Sequence, residues 1–262
     1  MELGLKGKRA LIIGASRGLG FGIAEQLKAE GAQVIICSRT EPSLKKALEK
    51  LEKIAAGSAS YIVADLSDCD SIDAMAEQLH SQFGGIDILV NNSGGPPPGP
   101  ISAVDTVMWQ QQFSTMASSI FRITGHFLPG MRQRGWGRIL NLASSGVVQP
   151  IPVLGISNTI RASIIGWSKT LSLEVASDGV TVNTLLPGRI ATDRLQQLNQ
   201  AAAEKQLKSV EQIVTASLAD IPMGRFGEVA EFAKVATFLV SECASYMTGG
   251  LIRADGGAVK SI

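Results

Sequence analysis

Three glycines spaced Gly14-x3-Gly18-x-Gly20 stand directly after the apolar run Ala10-Leu11-Ile12-Ile13 and before a helix-forming stretch. Glycine permits a tight turn and close approach to the backbone. A helix that starts there offers free N–H groups and the positive end of its dipole. This combination suits a pyrophosphate, so the segment, with Ser16, Arg17 and Leu19 between the glycines, is expected to bind a dinucleotide. An ordinary strand-to-helix turn is the plainer alternative, and the layout of the rest of the chain favours the dinucleotide.

Sites that prefer NAD usually carry an acid near the end of the second strand, where it holds the ribose 2′-hydroxyl. Here that place is taken by Ser38-Arg39. Arg39 and Arg17 together supply two planar guanidinium forks that match phosphate oxygens, so NADP(H) is expected over NAD(H). Each arginine alone would pass for a solvated surface charge. Asp65 suits either an adenine amino group or the N-cap of the next turn. Asn91-Asn92-Ser93-Gly94 is expected to pass beneath the cofactor, although asparagine pairs also simply make turns.

These residues need elements to position them. Short β-branched runs predict strands over 9–13, 33–37, 60–63, 86–91, 138–142, 180–185 and 251–254. Amphipathic stretches predict helices over 18–30, 41–55, 71–83, 157–177 and 228–241, with one long helix over 109–134 bent near Pro129. Such alternation implies an α/β fold, a parallel sheet with crossover helices on both faces. The stiff loop Gly94-Gly95-Pro96-Pro97-Pro98-Gly99-Pro100 follows the fourth strand, as a rigid connector or as a wall of the substrate cleft. The polar insertion 189–220 is expected to be a substrate lid, with a surface helix pair as the alternative.

At 262 residues the chain reads as one domain over 1–262. A net charge of +1 with interspersed signs leaves no basic footprint for nucleic acid and no polybasic membrane patch. Apolar residues at 45% and charged ones at 18% suggest extensive burial and a subunit interface. Cys37, Cys69 and Cys243 show no metal-ligand spacing, so no metal site is expected and the thiols read as reduced. With no leader-like or membrane-length apolar run, a cytoplasmic location is expected.

The glycine motif, Asp65-Leu66, Asn91-Asn92-Ser93-Gly94, the run from Gly137 to Ser144, Pro187-Gly188-Arg189-Ile190-Ala191-Thr192, Tyr246-Met247-Thr248-Gly249-Gly250 and Asp255-Gly256-Gly257 occur in order. This set resembles the short-chain dehydrogenase/reductase family, in particular its 3-oxoacyl-acyl-carrier-protein reductases. The resemblance implies a single-domain Rossmann fold, a doubly wound seven-stranded sheet, assembled as a homotetramer or homodimer through its long helices. It adds Leu66, Ser93, Gly94, Pro187, Gly188 and Ile190 to the cofactor site. It also implies a small carbonyl or alcohol substrate, a class that extends to acyl thioesters.

Members of the family typically use Asn, Ser, Tyr and Lys. By resemblance Ser144 takes the serine's place and hydrogen-bonds the substrate oxygen, while the tyrosine and lysine positions fall on Ser157 and Arg161. The asparagine position falls on Met116. Serine donates a hydrogen bond but does not ionise near neutrality, and arginine stays charged and moves no proton. Arg161 is expected to hold the nicotinamide ribose and stabilise a developing alkoxide. Loss of a positioned acid costs ~10²–10⁴ in rate. Two readings follow: an oxidoreductase with a non-standard centre, or a dinucleotide-binding protein with little turnover that serves as a sensor or assembly partner. The Gly-Gly-Pro-Pro-Pro loop and the Ser-Asn-x-x-Arg segment are similar to a divergent subgroup of the family, which favours the enzyme. Of the lesser candidates, His126 is expected at a helix interface, Asp193 at a helix cap or facing substrate, and Asn158 beside a proton-relaying water.

Overall fold

Aliphatic strands alternating with amphipathic helices have one way to bury both strand faces, and the computed structural model, which describes residues 2–261, takes it. Strands β1 (Arg9–Ile13), β2 (Gln33–Ser38), β3 (Ser58–Val63), β4 (Ile88–Asn91), β5 (Gly137–Leu142), β6 (Val180–Pro187) and β7 (Leu251–Ala254) form a single sheet. Their order is β3-β2-β1-β4-β5-β6-β7. Every pairing is parallel. The helices are α1 (Gly18–Ala29), α2 (Glu41–Leu51), α3 (Cys69–Phe83), α4 (Thr106–Phe113), α5 (Ser119–Gln133), α6 (Gly155–Val175), α7 (Asp193–Gln206), α8 (Val210–Ala219) and α9 (Val229–Leu239).

The pleat divides the core in two. Ala10 and Ile12 of β1 pack with Ile23 and Leu27 of α1 and Phe232 and Ala236 of α9. Their neighbours Leu11 and Ile13 pack on the opposite face with Met75 and Leu79 of α3 and Ile123 and Phe127 of α5. Alternate residues therefore serve opposite layers, as a strand buried on both faces requires. The strand order reverses between β1 and β4. A crevice opens there beyond the carboxyl ends of the strands, where ligands bind in sheets of this kind.

Several predicted boundaries move, each for a local reason. The single helix expected over 109–134 is instead α4, a wide turn at Ser114–Ser118, and α5. The irregularity thus lies at Met116, while Pro129 sits inside α5. Helix α4 begins early because the Asp105 carboxylate caps the Met108 N–H at 2.7 Å. Asp68 likewise starts α3 ahead of Ser71. The insertion 189–220 contains α7 and α8, joined through Leu207 in the left-handed region. No helix among the described residues is long and apolar enough to cross a membrane.

Candidate active site

The glycine turn owes its shape to what surrounds it. Gly14 has φ +65°, and a Cβ there would lie 2.4 Å from the Asn92 carbonyl oxygen. A Cβ on Gly20 would lie 2.6 Å from the Gly14 carbonyl oxygen. Asn92 Nδ2 donates to that same Gly14 oxygen at 3.2 Å, so the end of β4 fastens the turn. Helix α1 then starts with no side-chain cap and no acid in its first turn. By contrast α3, α4, α7 and α8 are capped by Asp68, Asp105, Thr192 and Ser209. An uncapped helix start behind an obligatory glycine turn leaves N–H donors for an anion, which fits a dinucleotide pyrophosphate.

Around this turn the expected cofactor residues divide into those that face the crevice and those that do not. Arg17 and Arg39 are exposed at its rim, and Arg17 lies 3.8 Å from Asp193 of α7. Ser38 Oγ is buried and has no partner. The Ser67 N–H and hydroxyl bind Asp65, and with the nearby Arg39 charge they outweigh burial and hold its carboxyl below the usual range. Leu66 packs against the α3 side of the core. Asn91 points away from the crevice: its buried amide donates to Asn141 Oδ1 at 2.8 Å and Thr124 Oγ1 at 3.3 Å. Asn141 in turn donates to Ser168 Oγ at 2.7 Å. Asn91 is therefore a pillar that links β4 to β5 and α5, and through Asn141 to α6. Ile190 is likewise buried in the core. Pro187 ends β6, and Gly188 follows in contact with Asp255, whose Cα a Cβ there would approach to 2.5 Å.

Ser157 and Arg161 are bonded to each other, and Ser144 follows the end of β5 that Arg161 also holds. Ser144 follows β5 and its Oγ accepts the Gly146 N–H at 3.1 Å. Helix α6 starts two residues before Ser157, which places that hydroxyl in its first turn. One turn on, Arg161 is 7% exposed and spreads its guanidinium over three elements. Its Nε donates to Ser157 Oγ at 3.3 Å, and Nη1 to the Leu142 carbonyl at 2.9 Å. Its Nη2 donates to the Ser93 and Gly94 carbonyls at 3.2 and 3.3 Å. Arg161 thus ties α6 to the carboxyl ends of β4 and β5, and four of its contacts go to protein oxygens. No carboxylate among the described residues pairs with it. Burial, and then the charge of Arg194, lower its pKa to about 10. It remains a cation near neutrality. Each serine hydroxyl accepts one bond from the protein and keeps its proton to donate.

The proline-rich loop is clamped over this centre. Arg161 takes the carbonyl of its first residue, Gly94, and that of the preceding Ser93, and Arg194 of α7 donates to the Pro96 carbonyl at 3.1 Å. The Gly99 N–H donates to the Val153 carbonyl at 2.8 Å. Val153 holds φ +60°, a conformation that a β-branched residue adopts only when its surroundings impose it. Asn158 Nδ2 donates to the Ile151 carbonyl at 3.0 Å, while its buried Oδ1 has no hydrogen-bond partner. His126 lies at the α3–α5 interface, 2.7 Å from Asp73, as its helical position suggests. Asp193 occupies the first turn of α7, and Thr192 is the cap. Sequence reasoning missed Arg194. Its only signal was its place just after the Pro187–Thr192 motif.

A family model described as enoyl-(acyl carrier protein) reductase matches residues 14–259. The 3-oxoacyl-[acyl-carrier-protein] reductase FabG of Vibrio cholerae is 37% identical over 97% of this chain and 98% of its own length. The chain belongs to the short-chain dehydrogenase/reductase family. Nodulation protein G of Azospirillum brasilense is 33% identical over 95% of the chain and 97% of its own. L-Sorbose reductase from Gluconobacter frateurii, solved with NADPH and L-sorbose, superposes with TM-score 0.94 at 32% identity, covering 100% of both chains. YwfH, an NADPH-dependent reductase involved in bacilysin biosynthesis, gives 0.93 at 31%, covering 98% of this chain and 100% of its own. The Rossmann sheet the resemblance implies is the sheet observed.

In this member of the family, neither of its two tyrosines reaches the centre. Tyr61 is on the edge strand β3, four strand spacings of about 4.8 Å from β5, and its hydroxyl binds Glu41 at 2.9 Å. Tyr246 precedes β7, at the amino end of the sheet, and is fully exposed.

Proposed function

We propose that this protein is an NADP(H)-dependent oxidoreductase that transfers hydride between the cofactor and a small carbonyl or alcohol. The observation that carries the reading is the hold of Arg161 on Ser157 and on the Leu142 carbonyl, two residues before Ser144, at the same strand ends as the uncapped glycine-turn helix. When bound, the cofactor supplies the hydride. The glycine turn with Ser16, Gly18, Leu19 and the α1 N–H groups holds the pyrophosphate. Arg17 and Arg39 take the 2′-phosphate, and Asp65 and Leu66 border the adenine. Ser93, Gly94, Pro187, Gly188 and the backbone at Asn91 and Ile190 line the nicotinamide end.

The Ser144 and Ser157 hydroxyls donate to the substrate oxygen. Arg161 keeps both serines in place and adds a positive field where negative charge develops, an electrostatic contribution that needs no proton transfer. As the carbonyl carbon gains hydride its π pair passes to oxygen, and that oxygen takes a proton from water, since no tyrosine is at hand. Reduction of 3-oxoacyl thioesters is the activity named for the curated relatives, and it heads the substrate panel. The segment 189–220 acts as the lid, with its first helical turn over both the glycine turn and the proline-rich loop.

The test is NADPH consumption across carbonyls that include 3-oxoacyl thioesters, with Ser144→Ala alongside. Turnover that falls at least about a hundredfold in the variant, as for loss of an oxyanion donor, supports the reading. A second reading, a dinucleotide-binding sensor or assembly partner, draws on the commitment of Arg161 to backbone carbonyls. Tight NADPH binding without turnover on any carbonyl would favour it.

A further inference from the structure

Two guanidinium groups, from different helices, grip the stretch Ser93–Pro96. Arg161 holds the Ser93 and Gly94 carbonyls from α6, and Arg194 holds the Pro96 carbonyl from α7. The Arg194 guanidinium also lies against Gly95, 3.3 Å from where a Cβ would stand. The two cations are thus separated only by a few residues of extended chain. Neither meets a carboxylate among the described residues, whereas Arg9, Arg122, Arg132, Arg138 and Arg225 all do. The acid nearest Arg194 in sequence, Asp193, turns the other way and pairs with Arg17.

Two like charges held together beside a crevice repel each other. The Arg194 charge adds to burial in lowering the pKa of Arg161, which places the two guanidinium groups within electrostatic reach. Backbone carbonyls supply partial charge only. Arg161 spends four contacts on protein oxygens, but Arg194 spends one and is exposed, so most of its planar fork remains free for a bidentate partner. The phosphates of a dinucleotide are already answered on the other side of the crevice by α1, Arg17 and Arg39.

We propose that the substrate carries a free carboxylate beside its reacting carbonyl, and that Arg194 binds it. This rests on the reductase reading and narrows it to oxo acids, with the acid end unesterified. The carboxylate would pair with the free fork of Arg194 and set the carbonyl toward Ser144 and Ser157. Arg194 is then a specificity-determining residue.

Binding to the NADP⁺-loaded protein, measured by calorimetry, tests this without requiring turnover. The probes are short- and medium-chain 3-hydroxy acids and their methyl esters. The acids should bind at least about tenfold more tightly than the esters, and Arg194→Ala should erase that preference, a loss of about tenfold to a hundredfold. Arg194→Lys should restore part of it, since charge returns without the fork. NADP⁺ affinity is measured on each variant. Equal binding of acids and esters, or no binding of either, overturns the proposal. So does an NADP⁺ affinity that falls as far as the acid affinity in Arg194→Ala, which would make Arg194 a cofactor ligand. If acids are preferred but no oxo acid consumes NADPH, the reductase reading fails and the carboxylate site stands.

Discussion

At the amino ends of the strands the arginines meet acids, and at the carboxyl ends the two central ones do not. Arg9 opens β1 and chelates Asp87 through Nε and Nη2 at 2.9 and 2.6 Å, with Arg134 3.3 Å from the same carboxylate. Arg138 of β5 pairs with Glu242 and stacks on Trp136. Across the sheet, Arg161 and Arg194 have only carbonyls and one hydroxyl. The paired end closes strand starts and adds stability. The unpaired end keeps charge in reserve, and a protein retains buried uncompensated charge mainly where it acts on something else.

The largest expected effect is at the unpaired end. Arg161→Met removes the field and releases Ser157, so turnover should fall by about 10²–10³. Stability should fall by about 1–3 kcal/mol, since the Leu142, Ser93 and Gly94 carbonyls lose the donor that Arg161 supplies. Chemical denaturation and steady-state kinetics on the same sample separate the two. A variant that unfolds easily and still turns over would show that Arg161 is a structural staple alone.

The mirror experiment is Asp87→Ala, which strands Arg9 and Arg134. Stability should drop by about 2–3 kcal/mol, with NADPH affinity unchanged. Its pH dependence has a definite sign. Burial would raise the Asp87 pKa, but the side chain and N–H of Arg9, with Arg134 behind, outweigh it and hold the carboxyl below 3.8. The pair therefore stabilises fully above that ordinary value and is lost as pH falls through the lowered one. Wild type and variant should converge in stability in acid; a gap that persists there would locate the loss in packing.

How much of this was legible beforehand depends on whether the determinant is local. The glycine turn, strand alternation and serine at the end of β5 follow from residues near one another in sequence, and the structure has them where expected. The inward turn of Asn91 was not legible, because it depends on Asn141 and Thr124 from two other elements. The wide turn at Ser114–Ser118 has no composition signal either, since neither glycine nor proline falls within it. Arg194 reads as one more polar residue of a lid until the fold lays α7 over the proline-rich loop.

A smaller effect tests the cofactor side of the crevice. In Gly20→Ala the new methyl would meet the Gly14 carbonyl oxygen at 2.6 Å and Ala15 Cα at 3.0 Å, both rigid backbone. The turn must shift, and NADPH affinity should fall at least about tenfold, with a stability loss of about 1–3 kcal/mol from overpacking. Unchanged affinity by fluorescence titration would place the pyrophosphate elsewhere.

The smallest effect separates the Arg17–Asp193 contact at the crevice rim from the paired arginines below. Arg17 and Asp193 lie 3.8 Å apart with side chains 71% and 69% exposed, so the pair is worth only about 0.2–1 kcal/mol. Asp193 occupies the guanidinium proposed for the 2′-phosphate and adds a negative charge near it. Asp193→Asn should tighten NADPH by about two- to fourfold at low salt while leaving NADH binding nearly unchanged. The difference should fade as added salt shortens the screening length. If Asp193→Asn instead weakens NADPH, the aspartate holds Arg17 in register for the phosphate, and the contact belongs with the paired arginines at the other end of the sheet.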